Sequence, residues 1–253
     1  MPSIDLNCDL GESFGAYTIG MDSAVIPFIT SANVACGYHA GDPLIMQKTV
    51  AACKQHGVHV GAHPGYPDLV GFGRRNLAAT PAEVKAYIQY QVGALSAFCA
   101  AAGVPLCHVK PHGAMYNMAA KDEALARAVC EGILEVNPKL TLLALSGSAM
   151  VRVARELGLP VKNEVFADRG YQADGTLVPR SKPGAMITDE DEAIRRVVRM
   201  VTEGKVRSVD GTDVSLCADS ICVHGDGEKA LLFTQRIGEA LAAAGIALRP
   251  MSA

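Results

Sequence analysis

The chain has 253 residues, 49% of them hydrophobic, and carries a formal net charge of −3. This length gives enough apolar side chains for a substantial core, in one large domain or two small ones. The 23 lysines and arginines do not exceed the 26 aspartates and glutamates. Without a basic excess to neutralise phosphate backbones, we expect no nucleic-acid partner.

The N-terminus and the longest uncharged stretch argue against export and membrane insertion. The sequence MPSIDLNCDLGE has acidic residues where a signal peptide needs basic ones before an apolar segment. Residues 86–109 include no Asp, Glu, Lys or Arg, but glutamines and Pro105 interrupt them, which favours a buried helix and a strand. The 8 cysteines form no CxxC pair and are typical of buried thiols in a reducing compartment. We therefore predict a soluble, cytoplasmic protein with no membrane partner.

Short strand-like runs alternate along the chain with longer segments of helical periodicity. The predicted strands are Ile4–Leu10, Phe28–Cys36, Val58–His63, Val104–His112, Leu140–Leu145, Val161–Ala167 and Ser220–Gly225, followed by a weaker run, IALRP. Between them, segments such as PLIMQKTVAACKQHG and PAEVKAYIQYQVGALSAFCAAAG have apolar residues at helical spacing. Both end in glycine, as many helices do.

This alternation of strands and helices predicts a parallel sheet that is covered by helices. Seven or eight such units in about 250 residues match the size of a (β/α) barrel, with a doubly wound open sheet as the alternative. No linker or change in composition divides the chain, so we predict a single domain over residues 1–253. The segment from Ala167 to Thr188, rich in glycine, proline and charge, is predicted to be a long functional loop.

Polar residues are concentrated where the predicted strands end. Because side chains alternate along a strand, residues two positions apart share a face. Such pairs are Asn7 and Asp9, His59 and His63, Lys110 and His112, and His224 and Asp226, while His39 and Asp42 follow the second strand. In barrels and open parallel sheets alike, ligands bind at the C-terminal strand ends. We therefore predict one polar rim built from many strand ends.

Some polar residues in these regions have a structural explanation. Asp42 precedes a proline and a helical segment, so it is predicted to cap a helix, and Asp122 and Asp189 are interpreted in the same way. His56 lies at a helix end, where a cation favours the helix dipole. Capping does not explain why so many strands end in His, Asp, Glu or Lys.

The predicted rim combines carboxylates, imidazoles and a lysine. These groups suit general acid–base catalysis, a divalent metal site, or both. A metal would take two histidines and a carboxylate, for which the candidates are Asp9, His39, His63 and His112. No HExxH motif is present, so the sequence leaves the presence of a metal open.

Four arginines lie in loops rich in glycine or proline and are candidates to bind a carboxylate or a phosphate: Arg74, Arg75, Arg169 and Arg180. The other interpretation is that they lie in solvated loops. No GxxxxGK[ST] loop is present, and no GxGxxG follows a predicted strand. The sequence therefore shows neither of these nucleotide-binding motifs.

Several of these segments together resemble the LamB/YcsF family, whose members form one of the three components of prokaryotic ATP-dependent 5-oxoprolinase, the A component. The matching segments are NCDLGESFG, ANVACGYHAGDP, GAHPGYPDLVGFGRR, VKPHGAMYN, EVFADRGY, LVPRSKPGAMI and CVHGDG. They extend from Asn7 to Gly227 and so cover nearly the whole chain. Tyr38 and Met115 stand where the family pattern has phenylalanine and leucine, and no polar position of these motifs departs from it.

The resemblance implies an irregular (β/α) barrel related to the glycoside hydrolase and deacetylase barrels. It also implies a reaction in which 5-oxo-L-proline, ATP as co-substrate and water give L-glutamate, ADP and phosphate. The chain would work in a complex with B and C subunits. A divalent metal is a further candidate cofactor.

For the reaction that the resemblance implies, each residue of the rim can be given an expected role. Opening an unactivated lactam requires a base for water and an acid for the leaving nitrogen. We expect Asp9 and His63 nearest the reacting carbonyl, with His39, Lys110 and His112 beside them as further catalytic residues. The candidates for substrate or phosphate binding are Glu12, Arg75, Glu164, Asp168, Arg169, Arg180 and Asp226.

Two other functions fit the same residues. One is a metal-dependent deacetylase or amidohydrolase that acts alone, because the rim has the ligands that zinc prefers. The other is a non-catalytic subunit that binds a lactam for its partners. The metal content of the protein and its activity without nucleotide would distinguish these functions.

Overall fold

The structure closes the predicted parallel sheet into a barrel. The computed structural model describes residues 2–223 and 228–251. The strands in these residues are β1 (Ser3–Leu10), β2 (Ser31–Ala35), β3 (His59–His63), β4 (Leu106–Val109), β5 (Thr141–Leu145), β6 (Val161–Phe166), β7 (Lys205–Arg207), β8 (Asp213–Ser215), β9 (Ser220–Val223) and β10 (Ala247–Leu248). Strands β1 to β6 pair in order, all in parallel, and β9 pairs with both β6 and β1. This double pairing of β9 closes a barrel of seven strands.

The barrel prediction is therefore confirmed, and the alternative of an open sheet is wrong. An eighth parallel strand, β10, lies outside the closure and pairs only with the start of β1, at Ser3 and Ile4. Strands β7 and β8 form a separate antiparallel hairpin that the sequence patterns did not indicate. That residues 1–253 form a single domain stays a prediction.

Two predicted strands are shorter than expected, and their ends explain why. The run that begins at Phe28 starts with a 3₁₀ helix at Ile26–Phe28, so β2 begins only at Ser31. The run Val104–His112 keeps only Leu106–Val109 as β4, because its prolines have no N–H for the ladder. Lys110 still bonds to β3 through its backbone N–H, which donates to the Ala62 carbonyl at 2.9 Å. The rim residues after β4 therefore stay in line with the strand.

Helices cover the outside of the barrel. They are α1 (Asp22–Val25), α2 (Pro43–His56), α3 (Pro81–Ala102), α4 (Gly113–Ala119), α5 (Glu123–Val136), α6 (Ala149–Leu157), α7 (Glu190–Glu203) and α8 (Glu228–Ala243). Asp42 caps α2 and accepts hydrogen bonds from the N–H groups of Leu44 at 2.8 Å and Ile45 at 3.0 Å. Asp122 and Asp189 cap α5 and α7 in the same way. Across residues 2–223 and 228–251, no helix is both long enough and apolar enough to cross a membrane.

The inside of the barrel is polar, whereas its outer face packs apolar side chains against the helices. The inward-facing side chain of Asp5 accepts hydrogen bonds from Ser31 at 2.6 Å and from Thr30 at 2.7 Å. Such groups are stable in the interior where they find hydrogen-bond partners across the barrel, as Asp5 and Asn7 both do with Ser220. Hydrogen-bonded polar groups therefore form a column through the interior, from one end of the barrel to the other.

Gly61 of β3 makes room for this column, and we predict that its replacement by alanine destabilises the fold. A Cβ at Gly61 would lie 2.1 Å from Nε2 of the buried His108 ring. Overpacking of this kind costs about 1–3 kcal/mol. Urea unfolding should therefore show a lower free energy of unfolding for Gly61→Ala than for the wild type.

The matched control is Gly93→Ala on α3, where a Cβ would meet nothing within 4 Å. There alanine should raise stability by roughly 0.5–1 kcal/mol through helix propensity. A Gly61→Ala protein as stable as the wild type would show that the interior is not packed around His108.

Candidate active site

The residues predicted to form the rim converge at the C-terminal end of the barrel. A cavity of about 570 Å³ opens there, and Asp9, His63, Lys110 and His112 line it. His39 lies directly behind them, fully buried, with its ring stacked 3.7 Å from the ring of His112. The structure thus brings the five predicted catalytic residues together.

The ammonium group of Lys110 lies at the centre of the cavity floor. Its Nζ is 2.8 Å from Oδ1 of Asp9 and 2.8 Å from Oε1 of Glu164. It also donates to Oδ1 of Asn7 at 3.3 Å and to the sulfur of Cys222 at 3.1 Å. Burial opposes the charge of Lys110, but Asp9, the Cys222 sulfur and Glu164 raise its pKa above the ordinary value. Lys110 is therefore an ammonium held between two carboxylates.

His63 and His112 each have an outer ring nitrogen, which faces a backbone carbonyl, and an inner ring nitrogen, which faces the other histidine. Nδ1 of His63 lies 2.7 Å from the carbonyl oxygen of Lys110, and Nε2 of His112 lies 2.8 Å from that of Phe72. A carbonyl oxygen only accepts, so each of these outer nitrogens carries the proton. The inner nitrogens, Nε2 of His63 and Nδ1 of His112, are 2.9 Å apart. Two neutral imidazoles in this arrangement would place two lone pairs face to face.

The carboxylate of Glu12 adds negative charge at the same point. Its Oε1 lies 3.3 Å from Nε2 of His39 and from Nδ1 of His112, and 3.8 Å from Nε2 of His63. Burial alone would raise the pKa of Glu12, but the imidazoles of His112 and His39 bring it below its ordinary range. Burial and the neighbouring His112 lower the pKa of His39 to about 3, and burial also lowers that of His112. At neutral pH an ionised carboxylate thus faces at least two uncharged rings.

This arrangement can hold a metal ion. Among the described residues, Glu12, His39, His63 and His112 each offer a ligand atom, and these atoms all lie within 4.8 Å of one another. Oε1 of Glu12 and both ring nitrogens of His39 are buried and form no hydrogen bond within that part of the chain. Histidines whose outer N–H donates to a carbonyl are typical metal ligands. The sequence named Asp9 rather than Glu12 as the carboxylate of this set; Asp9 lies alongside, with Oδ2 3.3 Å from Nε2 of His63, and its role as a metal ligand stays a prediction.

The loop after β3 holds the histidine rings in position. Phe72 has a φ of 54°, an unfavourable value for a residue with a side chain, and its carbonyl accepts the hydrogen bond from His112. Gly65 and Gly73 lie against the stacked rings, since a Cβ at either would come within 2.7 Å of His39. This close approach explains why the segment GAHPGYPDLVGFGRR needs glycine at these two positions.

The structure separates the loop arginines into two groups. Arg169 and Arg180 line the cavity, as does Arg74. Arg75, which the sequence proposed for substrate or phosphate binding, is not among the lining residues of the described chain. Its guanidinium donates to both carboxylate oxygens of Asp68 within its own loop. Of these two neighbours in the described chain, Arg74 lines the cavity, and anion binding by Arg75 stays a prediction.

The other candidates for substrate binding have different positions. Glu164 is fully buried beneath the floor, where Tyr116 of α4 donates a hydrogen bond to its Oε2 at 2.6 Å. The sequence did not indicate Tyr116, because it lies on a helix rather than at a strand end. Asp168 is partly buried next to Arg169 and, within the described residues, does not line the cavity. Asp226 and His224 lie outside the described residues.

Sequence reasoning missed two buried residues that hold Asp9. The side-chain amide of Asn33 donates to Oδ1 of Asp9 at 2.9 Å, and its own oxygen lies 2.7 Å from Nε2 of His108. His108 thereby fixes which end of the Asn33 amide faces Asp9. Strand alternation was the available signal, because His108 lies two residues before Lys110 and on the same face.

The comparisons with known proteins agree with the resemblance. The model of the LamB/YcsF family matches residues 4–253. The chain belongs to the LamB/YcsF family. A relative from Clostridium beijerinckii, named as the A subunit of 5-oxoprolinase, is 59% identical over 251 residues, which cover 99% of this chain and 98% of that protein.

Solved structures support the same assignment and the fold. A lactam utilization protein from Thermus thermophilus is 48% identical, with a TM-score of 0.92 over 98% of this LamB/YcsF chain and 100% of that chain. A family 4 carbohydrate esterase from Streptomyces lividans is 14% identical, with a TM-score of 0.51 over 99% of this chain and 93% of that chain. That second likeness shows the fold alone, and it agrees with the barrel fold predicted from the sequence.

We predict that His108 makes the folded state sensitive to acid. Burial first, and then the charge of Lys110, lower the pKa of His108 from 6.5 to about 3. As the pH falls from about 6.5 towards 3, the unfolded chain binds a proton at this position that the folded chain does not bind. The folded state therefore loses stability across that range and keeps it above the range.

His108→Gln removes this proton uptake and can still donate a hydrogen bond to Asn33. Melting temperatures measured from pH 7 down to pH 4 should fall less steeply for this variant than for the wild type. If the melting temperatures of the two proteins fall by the same amount over this pH range, His108 is not held neutral by the fold.

Proposed function

We propose that this chain opens 5-oxo-L-proline to L-glutamate, as the A component of a cytoplasmic, ATP-dependent 5-oxoprolinase that includes B and C subunits. The observation that carries the proposal is the group at the cavity floor, in which the partly buried Asp9 lies together with the buried Lys110, His63, His112 and Glu12. The names of the relatives, one a 5-oxoprolinase component and the other a lactam utilization protein, supply the substrate class.

The floor has the groups that lactam hydrolysis requires. Water must add its oxygen to the carbonyl carbon while a base takes its proton, and the ring nitrogen must gain a proton as the C–N bond breaks. His63 lines the cavity, and the lone pair on its Nε2 can accept the first proton. The same imidazole can then donate that proton to the leaving nitrogen, which gives the amine of glutamate.

Asp9 and Lys110 support this proton transfer. Oδ2 of Asp9 lies 3.3 Å from Nε2 of His63, so its negative charge stabilises the imidazolium that forms. The ammonium of Lys110, 2.8 Å from Oδ1, favours the negative charge of Asp9. Asn33 also donates a hydrogen bond to Oδ1 of Asp9, at 2.9 Å. The three contacts therefore fix both the charge and the direction of Asp9.

A divalent metal fits this floor. Glu12, His39, His63 and His112 would hold it, and a bound metal would polarise the lactam carbonyl or lower the pKa of a water molecule. The fit rests on the buried ligand atoms that form no hydrogen bond in the described chain. With a metal in place, Asp9 remains as the carboxylate available to take a proton from water.

ATP has no evident site in this chain, because neither glycine-rich nucleotide motif is present in the sequence. We predict that the purified chain alone releases little or no glutamate from 5-oxoproline. Addition of the B and C subunits should give ATP-dependent release, measured by a coupled glutamate assay. Efficient ATP-dependent glutamate release by the chain alone would contradict the proposal that the B and C subunits are required.

We predict that Asp9→Asn abolishes most of the activity of the reconstituted complex. The change preserves shape and a hydrogen-bonding oxygen, but it removes the negative charge beside His63. Loss of such a group typically lowers the rate by roughly 10²–10⁴-fold. The glutamate assay measures the rate, and the melting temperature reports the fold.

The matched control is Asp122→Asn, which makes the same chemical change at the N-cap of α5. Asparagine caps helices as well as aspartate, so this variant should keep both its stability and its activity. Turnover near the wild-type rate in Asp9→Asn would assign Asp9 a structural role.

A second function is favoured by the Glu–His cluster together with the deacetylase fold. In this alternative the chain is a metal-dependent amidohydrolase or deacetylase that works without partners. Stoichiometric metal in the purified protein, with hydrolysis that needs no nucleotide, would support it. Lactam binding and full complex activity that both survive the loss of Asp9 and His63 would instead indicate a non-catalytic lactam-binding subunit.

A further inference from the structure

The loop that follows β3 contains a tight turn at residues 68–73, which we call the Asp68 turn. The backbone N–H of Gly73 donates to the carbonyl of Asp68 at 2.9 Å, and that of Phe72 donates to the carbonyl of Leu69 at 3.2 Å. The side chain of Asp68 closes the turn, because its Oδ1 accepts a hydrogen bond from the N–H of Gly71 at 3.0 Å. One carboxylate therefore holds the turn together with the backbone bonds.

Arg75 holds that carboxylate in place. Its Nε donates to Oδ1 of Asp68 at 3.0 Å and to Oδ2 at 3.1 Å, and its Nη2 also contacts Oδ1. The side chain of Asp68 is only 1% exposed, whereas that of Arg75 is 63% exposed. A buried carboxylate is stable when it is paired and hydrogen-bonded, so these bonds keep Asp68 within the turn. Within the described chain, Asp68 does not line the cavity.

The Asp68 turn carries backbone strain at Phe72. This residue has a φ of 54°, a conformation that persists only where the surrounding contacts enforce it. Before Phe72, the bonds of Asp68 enforce it. After Phe72, the carbonyl of Gly73 accepts a hydrogen bond from the N–H of Ala114 at 2.9 Å. Without the bonds of Asp68, Phe72 would relax towards negative φ and its carbonyl would turn.

The position of the Phe72 carbonyl decides which ring nitrogen of His112 carries the proton. Nε2 of His112 lies 2.8 Å from this oxygen, which can only accept, so Nε2 is the protonated nitrogen. The other nitrogen, Nδ1, has acceptors of its own, with Nε2 of His63 at 2.9 Å and Oε1 of Glu12 at 3.3 Å. If the carbonyl turned away, the proton would move to Nδ1 and occupy the lone pair that faces the floor.

We propose that Asp68 is a positioning residue for His112. Through its turn it keeps the Phe72 carbonyl at Nε2, and so keeps the lone pair of Nδ1 directed at the cavity floor. Arg75 contributes by holding Asp68. The use of that lone pair in lactam hydrolysis rests on the proposed function, whereas its direction does not.

Nitrogen-15 NMR of the histidine rings tests the proposal, because protonated and unprotonated ring nitrogens give separate signals. The full chain is labelled at histidine, treated with a chelator and measured at neutral pH, and His112→Gln identifies the signals of His112. We expect a protonated Nε2 in the wild type. In Asp68→Ala, which removes the acceptor atoms of this side chain, we expect the loss of that proton from Nε2 and its appearance on Nδ1.

Asp68→Asn is a milder variant that decides the matter if Asp68→Ala fails to fold. Asparagine can still accept a hydrogen bond from Gly71, but it cannot accept from Arg75 through both of its side-chain atoms. We therefore expect a mixture of the two forms of the His112 ring. Melting temperatures report whether each variant is folded.

The matched control is Asp210→Ala, in the hairpin of β7 and β8. It too removes a carboxylate that accepts a backbone N–H, from Thr212 at 3.2 Å, and it should leave the His112 signals unchanged. A His112 ring that stays protonated at Nε2 in the folded Asp68 variants would overturn the proposal. The same change of the ring in Asp210→Ala would also overturn it, since the effect would not be specific to the Asp68 turn.

This measurement uses no lactam, no ATP and no partner subunit, so its outcome is independent of the proposed function. Loss of the Nε2 proton in Asp68→Ala, with full activity of its reconstituted complex, would support positioning by Asp68 and remove the His112 lone pair from the reaction. An unchanged ring would overturn the positioning role and leave the proposed function intact.

Discussion

The charged group of Lys110, buried between two carboxylates, is the interaction on which the rest of the site depends. An ammonium in this position is stabilised by the carboxylates of Asp9 and Glu164, each 2.8 Å from its Nζ. The three residues come from different parts of the barrel, so the ion group holds the ends of β1, β4 and β6 at fixed distances. Removal of Lys110 would leave two carboxylates without their cation, which is strongly destabilising, whereas loss of one carboxylate leaves the ammonium paired with the other.

The histidines add a second constraint that the protein alone does not satisfy. The backbone carbonyls of Lys110 and Phe72 take the outer N–H groups of His63 and His112, which turns both inner lone pairs to the same point. The Glu12 carboxylate faces that point as well. Lone pairs and negative charge at such short range require a cation between them, either a proton or a metal ion. A floor that must hold a cation is suited to proton transfer, and this links the fold to the chemistry that we propose.

The barrel and the position of its rim could be predicted from the sequence because both depend on local patterns. Alternation along the strands placed Asp9, His63 and Lys110 on one face, and the order of strands and helices put that face at the ligand-binding end. The same alternation also places His108 on this face, because it lies two residues before Lys110, deeper in β4.

The remaining features of the site depend on the paths of the loops, which local sequence patterns do not predict. Glu12 follows β1 by two residues, and only the path of that loop brings it to the histidines instead of solvent. Arg74 and Arg75 are neighbours in one glycine-rich loop, and the pairing of Arg75 with Asp68 decides which of them reaches the cavity. Tyr116 reaches Glu164 from a helix, so strand alternation does not indicate it.

Anomalous diffraction from crystals grown with stoichiometric Zn²⁺ would test the central claim most directly, because it locates the cation itself. We expect one strong peak on the cavity floor, within bonding distance of Nε2 of His63, Nδ1 of His112 and a carboxylate oxygen of Glu12. Zinc that binds elsewhere, or inner nitrogens of His63 and His112 that remain in contact with no ion between them, would contradict the claim that these lone pairs form a cation site.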